Sequence, residues 1–256
     1  HLHVQRDDLS EMDPGFPYQQ NVTAVRTNVS GSCNAVWNGS VNLYRAGGGC
    51  ISMGRIPSAA NHEYGHGLTD WIYSPINESC AMIEALPDIR AHNHTGVATI
   101  GTNWRGTGTF IRTGDNTLTW AQAVAGCPTG GYPSGECHCK ADVTMGAVWK
   151  MRGFLQQKYG DAVGEQVCED LNHFALYGKP QTPQAYLIDI LEEDDTDGNL
   201  NNGSPNWGQI CTAFEIHGLP CPNVTEFLTI THTPLTDTAN DTNPYPGVAT
   251  VTGTNE

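Results

Sequence analysis

The chain is predicted to fold as an α+β protein with a β-rich N-terminal lobe and a helical C-terminal lobe, on three observations. Residues 1 to about 60 combine short apolar alternations with Gly, Asn and Ser, the pattern of brief strands joined by turns. Residues 60–73 switch to helical spacing, with His62, His66 and Thr69 on one face and Tyr64 and Leu68 on another. Past about residue 140 the chain reads as a succession of helices.

Taken in order, Ala35-Val36-Trp37 and Val41-Asn42-Leu43-Tyr44 alternate as strands do. Cys33 and Cys50 bracket them, and a bridge between the two would staple a hairpin-like unit. Ser58 stands where it could cap the helix that covers Ala60 to Tyr73. A second helix is expected over Ala81 to His92, with Pro87 near enough to its start to be tolerated. After a Gly- and Thr-rich stretch, Asp142 to Tyr159, Asp161 to Tyr177 and Thr182 to Glu192 each carry a helical pattern. From Asn223 the composition turns to Thr, Asn and Pro, as in a linker or stalk. The expected divisions are therefore 1–75 for the β-rich lobe with its helix, 76–222 for the mainly helical lobe, and 223–256 for the tail.

Composition narrows the classes of function. With 256 residues, 38% of them apolar, the chain is long enough for one large domain or two packed lobes. No window approaches the roughly 18 unbroken apolar residues of a membrane helix, so no span is expected. A net charge of −15 without a compact basic patch sets the chain against nucleic acid, whose phosphates it would repel. Such acidity suits an extracellular protein with carboxylates to spare for calcium.

Nine cysteines, without the paired CxxC spacings of a structural zinc site, favour an oxidising compartment, and their odd number leaves one thiol free or bonded outside this chain. N-x-S/T sequons begin at Asn21, Asn28, Asn38, Asn77, Asn93, Asn202, Asn223 and Asn240. Together these features predict a glycosylated protein that is secreted or held at the cell surface. No signal peptide stands at His1, so a processed or truncated form is expected.

The chemistry is concentrated in His62-Glu63-Tyr64-Gly65-His66. Histidines four apart on a helix project from one face, so both imidazoles can reach one zinc ion while the glutamate between them reaches a water beside it. Zinc lowers the pKa of that water towards about 7, and the carboxylate takes its proton as it attacks a carbonyl carbon. An incidental histidine pair on a surface helix would look the same, so further matches decide. Glu84-Ala85-Leu86-Pro87-Asp88 follows. Glu84 is expected to supply the third ligand, and Asp88, one turn later, to accept a hydrogen bond from a zinc-bound histidine and fix its tautomer.

This sequence of residues resembles the thermolysin-like and fungalysin-like gluzincins, in which HExxH is followed by a glutamate on the next helix and an aspartate four residues on. His62-Glu63-Tyr64-Gly65-His66-Gly67-Leu68-Thr69-Asp70 is similar to the family's active-site helix well past the ligands, and Asn34-Ala35-Val36-Trp37-Asn38-Gly39-Ser40 to its edge strand. The resemblance spans about residues 30–222, with its specific motifs at 34–40 and 62–88. It implies a thermolysin-like, two-lobed zinc endopeptidase acting on polypeptides, with Glu63 as base and Asn34 and Ala35 binding the substrate backbone. It also implies an oxyanion-stabilising histidine from the helical lobe. That role is placed at His138 in Cys137-His138-Cys139, although Asp142 to Trp149 departs from the family's pattern. Tyr73 is a second candidate oxyanion donor, with core packing as its plainer reading.

Two further features stand apart from this centre. Asp195, Asp197 and Asn199 offer oxygens at alternate positions, as a calcium loop does, without the glycine and terminal glutamate of an EF-hand. The Thr-rich tail suggests self-assembly or pairing with a neighbouring chain. The alternative to the enzyme is thus a non-catalytic glycoprotein with a peptidase fold that builds a surface layer or fibre. Glu63 favours the enzyme, since a structural zinc site needs no base.

Overall fold

The structure, a computed structural model, describes residues 2–20, 22–127 and 137–224. Where strands and turns were expected it opens on a helix, α1 (Leu2–Met12), which turns Gln5 and Leu9 inward. Histidine–carboxylate contacts hold this segment to the rest of the chain. Asp8 lies 3.0 Å from His94, and Asp13 lies 3.0 Å from His173 and accepts from the Tyr177 hydroxyl at 2.6 Å.

Three strands follow, β1 (Val25–Val29), β2 (Ala35–Trp37) and β3 (Val41–Tyr44), in the order β1-β3-β2. β1 runs parallel to β3, while β2 is antiparallel to it, pairing Ala35 with Leu43 and Trp37 with Val41. The β2–β3 turn uses Asn38-Gly39, where Gly39 adopts φ +82°, a conformation that suits a residue without Cβ. β3 is buried at the centre, and β2 lies at the edge with one row of backbone groups unpaired in the sheet.

The metal-site helix α2 (Pro57–Tyr73) starts three residues earlier than expected. Ile56 is its N-cap and Pro57 its first residue, a position where the missing N–H costs nothing. Ser58 therefore lies inside the helix, and its hydroxyl accepts from Gly101 N at 3.0 Å instead of capping. α2 packs on β2 and β3 on one side and along α3 (Ala85–Thr95) on the other.

α3 begins later than expected because of Pro87. A regular helix extended upstream would need the residue 87 N–H to bond to the residue 83 carbonyl, and proline has no N–H and clashes there. Single i→i−4 bonds occur upstream, Ile83 N to Ser79 O and Leu86 N to Met82 O, but the one between residues 87 and 83 cannot form, and the regular helix starts with Asp88 N to Glu84 O, which leaves Glu84 at the N-cap.

Two short strands, β4 (Thr99–Ile100) and β5 (Arg112–Thr113), pair antiparallel, and α4 (Trp120–Gly126) follows with a Thr119–Gln122 capping box. The helical half is α5 (Cys137–Tyr159), α6 (Asp161–Ala175), α7 (Pro183–Asp194) and α8 (Trp207–Ile216). α5 is its centre, fully burying Val143, Met145, Val148, Met151 and Leu155 against α3, α6 and α8. One apolar cluster runs from Leu9 and Val41 through Leu68 and Met145 to Phe214.

Of the described residues, 56% are helical and 8% lie in strands, so the chain mixes the two as expected, but the β contribution is one small sheet and a two-residue ladder. Among the described residues no helix is long and apolar enough to cross a membrane. Four disulfides form: the expected Cys33–Cys50, together with Cys80–Cys137, Cys127–Cys139 and Cys211–Cys221. Cys168 is the unpaired thiol, fully buried in α6. The tail expected over 223–256 lies outside the described residues from 225 onward.

Helix α2 approaches α3 so closely that a Cβ on Gly65 would stand 2.8 Å from Pro87 Cα, a backbone atom with little freedom to yield. Gly65→Ala is expected to destabilise the fold by about 2–3 kcal/mol, the upper range for overpacking, lowering Tm by roughly 4–10 °C in calorimetry. An unchanged Tm would show that the two helices are not in this contact.

Candidate metal centre

Three side chains converge at the junction of α2 and α3. His62 and His66 face the same way one turn apart, with their Nε2 atoms 3.1 Å from each other and the rings edge to face. Glu84, at the α3 N-cap, brings Oε2 to 3.2 Å from His62 Nε2 and 3.6 Å from His66 Nε2. Among the described residues this is the one group of three or more His, Cys, Asp or Glu whose ligand atoms all lie within 4.8 Å of one another.

The chemistry of the group suits a cation. Glu84 Oε2 is buried and has no aligned hydrogen-bond donor, although imidazole nitrogens surround it. A carboxylate oxygen without an aligned donor, ringed by the His62, His66 and His138 nitrogens, is a donor set lacking an acceptor, and a metal ion supplies one. Burial would raise the Glu84 carboxyl, but the histidines about it, His138 foremost, hold it far below the usual carboxylate range.

Behind His62 the expected partner is in place. Its Nδ1 donates to Asp88 Oδ1 at 2.7 Å, which directs Nε2 towards the centre. Asp88 is fully buried, and Arg112 on β5 grips both its oxygens, Nε donating to Oδ2 at 2.5 Å and Nη2 to Oδ1 at 2.7 Å, the oxygen it shares with His62. Burial alone would raise Asp88, and the Arg112 and His62 charges reverse this and hold it well below the usual range. Burial likewise pulls His62 down, and the Asp88 carboxylate more than offsets it, leaving His62 raised to about 9.

Glu63 points into a cleft of about 670 Å³, where burial pushes its carboxyl up against the opposing pull of His62 and His66. One wall of the cleft is edge strand β2 with its approach, so Asn34 and Ala35 line it. The other wall carries Ile83, Glu84 and His138, and Met53, Ile100, Ile111 and Arg112 complete the lining. Trp37 Nε1 donates to Asp70 Oδ2 at 2.6 Å and ties the strand to α2. Gly67 makes this possible, since a Cβ there would stand 2.5 Å from the Trp37 ring.

The structure separates the remaining candidates. His138 belongs to the centre, with Nε2 3.1 Å from Glu84 Oε2, but it sits in the first turn of α5 itself and not ahead of that helix. Tyr73 does not reach the cleft. It is fully buried, and its hydroxyl donates to Pro180 O at 2.7 Å, so the oxyanion role is withdrawn in favour of packing.

Asp195, Asp197 and Asn199 form consecutive turns in which each side-chain oxygen accepts the backbone N–H two residues on. Their oxygens serve the loop, and Asp194 closes it by accepting from Ser204 Oγ and Asn206 N.

Of the sequons, Asn28, Asn38, Asn77, Asn202 and Asn223 are exposed, while Asn21 and Asn240 lie outside the described residues. Asn93 is a correction: it is 3% exposed in the last turn of α3, where no glycan fits on the folded chain. Sequence reasoning missed Arg112 and the Trp37–Asp70 tie. The signal for the first was electrostatic, since Asp88 with only a histidine for partner leaves a buried site short of positive charge.

A scan against models of known protein families finds none that matches the chain, and a search of curated proteins finds no match either.

The His62–Asp88 pair has a pH signature in the metal-free chain. Because His62 is raised, its contribution is complete below about pH 6.5 and is lost as pH rises through about 9, an effect on the order of 3 kcal/mol. Asp88 and Glu84 are lowered, so theirs is present above about pH 4 and lost in acid. With a chelator present, Tm is expected to peak near pH 5–6 and to fall towards pH 9, and the alkaline fall is expected to shrink in Asp88→Asn. A Tm that rises from pH 6.5 to 9 would contradict the pairing.

Proposed function

We propose that the chain is a secreted zinc-dependent endopeptidase with a thermolysin-like arrangement. The observation that carries the reading is the orphaned Glu84 oxygen facing His62 and His66, with Glu63 beside them in a cleft bounded by an edge strand. His62, His66 and Glu84 would hold the zinc, which when bound supplies Lewis acidity that acidifies water and polarises a carbonyl. Four disulfides in a chain of this size support an oxidising, extracellular setting.

The residues of the chain perform the remaining tasks. An extended polypeptide lies along β2 and adds a strand to the sheet, its backbone matched by the free row of β2 and its approach at Asn34 and Ala35. This sets one peptide carbonyl over Glu63. The Glu63 carboxylate takes a proton from water as the water oxygen bonds to the carbonyl carbon, then passes that proton to the amide nitrogen as the C–N bond breaks. Burial of Glu63 raises its basicity, which suits it to accept and return a proton. Arg112, which also lines the cleft, keeps Asp88 and through it His62 in register.

Cleavage of an unfolded protein substrate by the purified chain tests the reading. Activity is expected to disappear with a chelator and to return with zinc. Glu63→Gln is expected to keep its zinc and lose about 10²–10⁴-fold in kcat. A folded chain that holds one zinc and cleaves nothing would sink the enzyme and leave the non-catalytic glycoprotein standing.

A further inference from the structure

We infer that His138, gripped by the Cys80–Cys137 and Cys127–Cys139 disulfides, is a positioning residue for the metal ligand Glu84, so that metal affinity depends on those disulfides being formed. The inference rests on the reading of His62, His66 and Glu84 as metal ligands.

His62 and Glu84 are supported differently. His62 stands on a long helix, and Asp88 and Arg112 fix its ring from behind. Glu84 sits at the α3 N-cap, at the end of a run of turns that Pro87 keeps from becoming helix, so no interior helical turn holds it. Cys80 lies in those turns, four residues before Glu84, and its bridge to Cys137 joins them to the start of α5. Cys139 is joined to Cys127 at the C-cap of α4.

The residue between the two bridged cysteines is His138. Of the three imidazole nitrogens around Glu84 Oε2 its Nε2 is the nearest, at 3.1 Å against 3.2 Å for His62 and 3.6 Å for His66. It is also the one of the three that comes from a segment other than α2. His62 and His66 move with α2, whereas His138, tied by a covalent bridge to the segment that carries Glu84, moves with Glu84.

This places the resting imidazole on a ligand oxygen and separates the role from that of an oxyanion donor, which would touch substrate alone. A group that orients a metal ligand changes metal affinity about 10–100-fold when it is removed. An oxyanion donor changes kcat and leaves metal affinity alone.

The test is the zinc Kd of the whole oxidised chain, measured by competition with a chromophoric chelator, with folding followed by circular dichroism. Wild type is expected to take up one zinc. His138→Ala is expected to weaken binding about 10–100-fold, and His138→Gln, whose amide N–H can stand near the imidazole Nε2, to recover part of the loss. C80S/C137S is expected to show the same loss, and adding His138→Ala to it little more, because the two act through one contact. C211S/C221S, whose bridge lies at the end of α8, is the control and is expected to bind zinc as wild type does.

If C80S/C137S does not fold, the two His138 variants decide. A folded His138→Ala chain with the wild-type zinc Kd overturns the inference, and a fall in its kcat at that same Kd would assign His138 to the oxyanion. A wild-type chain that takes up no zinc overturns the metal reading, and this inference with it.

Discussion

The centre depends on a single buried negative charge. Asp88 has no exposed surface, and a carboxylate removed from water is tolerated only where cations and hydrogen bonds replace its hydration. His62 and Arg112 do this together, sharing Oδ1 while Arg112 also holds Oδ2, so one residue of α3 binds a residue of α2 to a residue of β5. Removing either partner from such a pair leaves a buried charge uncompensated, which costs on the order of 3–5 kcal/mol. The same contact that directs His62 Nε2 towards the metal therefore holds three elements in register.

Close packing makes that contact reachable. α2 must lie near enough to α3 for a His62 imidazole to reach Asp88, and near enough to the sheet for Asp70 to reach Trp37. Gly65 opens the first approach and Gly67 the second, one on each side of His66. The two glycines lower the helix propensity of α2, by about 1 kcal/mol each relative to alanine. The burial of Tyr64, Leu68 and Ile72 on the same helix offsets that loss.

What could be read from the sequence followed the range of the interactions. His62, Glu63 and His66 were legible because helical periodicity places residues four apart on one face whatever the surroundings. Glu84 and Asp88 were legible through their spacing and a resemblance, but the start of α3 was misjudged because Pro87, six residues after Ala81, was taken as near enough to the start to be tolerated, whereas proline is accommodated only in a first turn, and the helix begins at Ala85. α1 was missed because it is held by tertiary contacts: Leu9 and Gln5 point inward, and Asp8 and Asp13 reach histidines far along the chain. Arg112 was missed for the same reason, since it stands on a two-residue strand in a Gly- and Thr-rich stretch and acts only across 24 residues of sequence on Asp88. Tyr73 stayed open between an oxyanion donor and a packing residue because nothing in its sequence position showed that its hydroxyl would turn to Pro180.

The two walls of the cleft are built by different means. β2 is held by a ladder to β3, by the Trp37–Asp70 bond and by the Cys33–Cys50 staple. The facing wall, from the turns before α3 to the start of α5, has no ladder of its own, and a buried backbone without regular partners gains little from local bonding. There the constraint is covalent. Cys80–Cys137 closes a separation of 57 residues, and in the chain-entropy account such a bridge removes about 4 kcal/mol of freedom from the unfolded chain. It does so where the gain is also local, because the bridge ends four residues from one ligand and one residue from His138. A wall that carries Glu84 on turns needs a tie of this kind. Irregular turns open more readily than regular helix, whereas a metal ligand must stay within a few tenths of an ångström of its position.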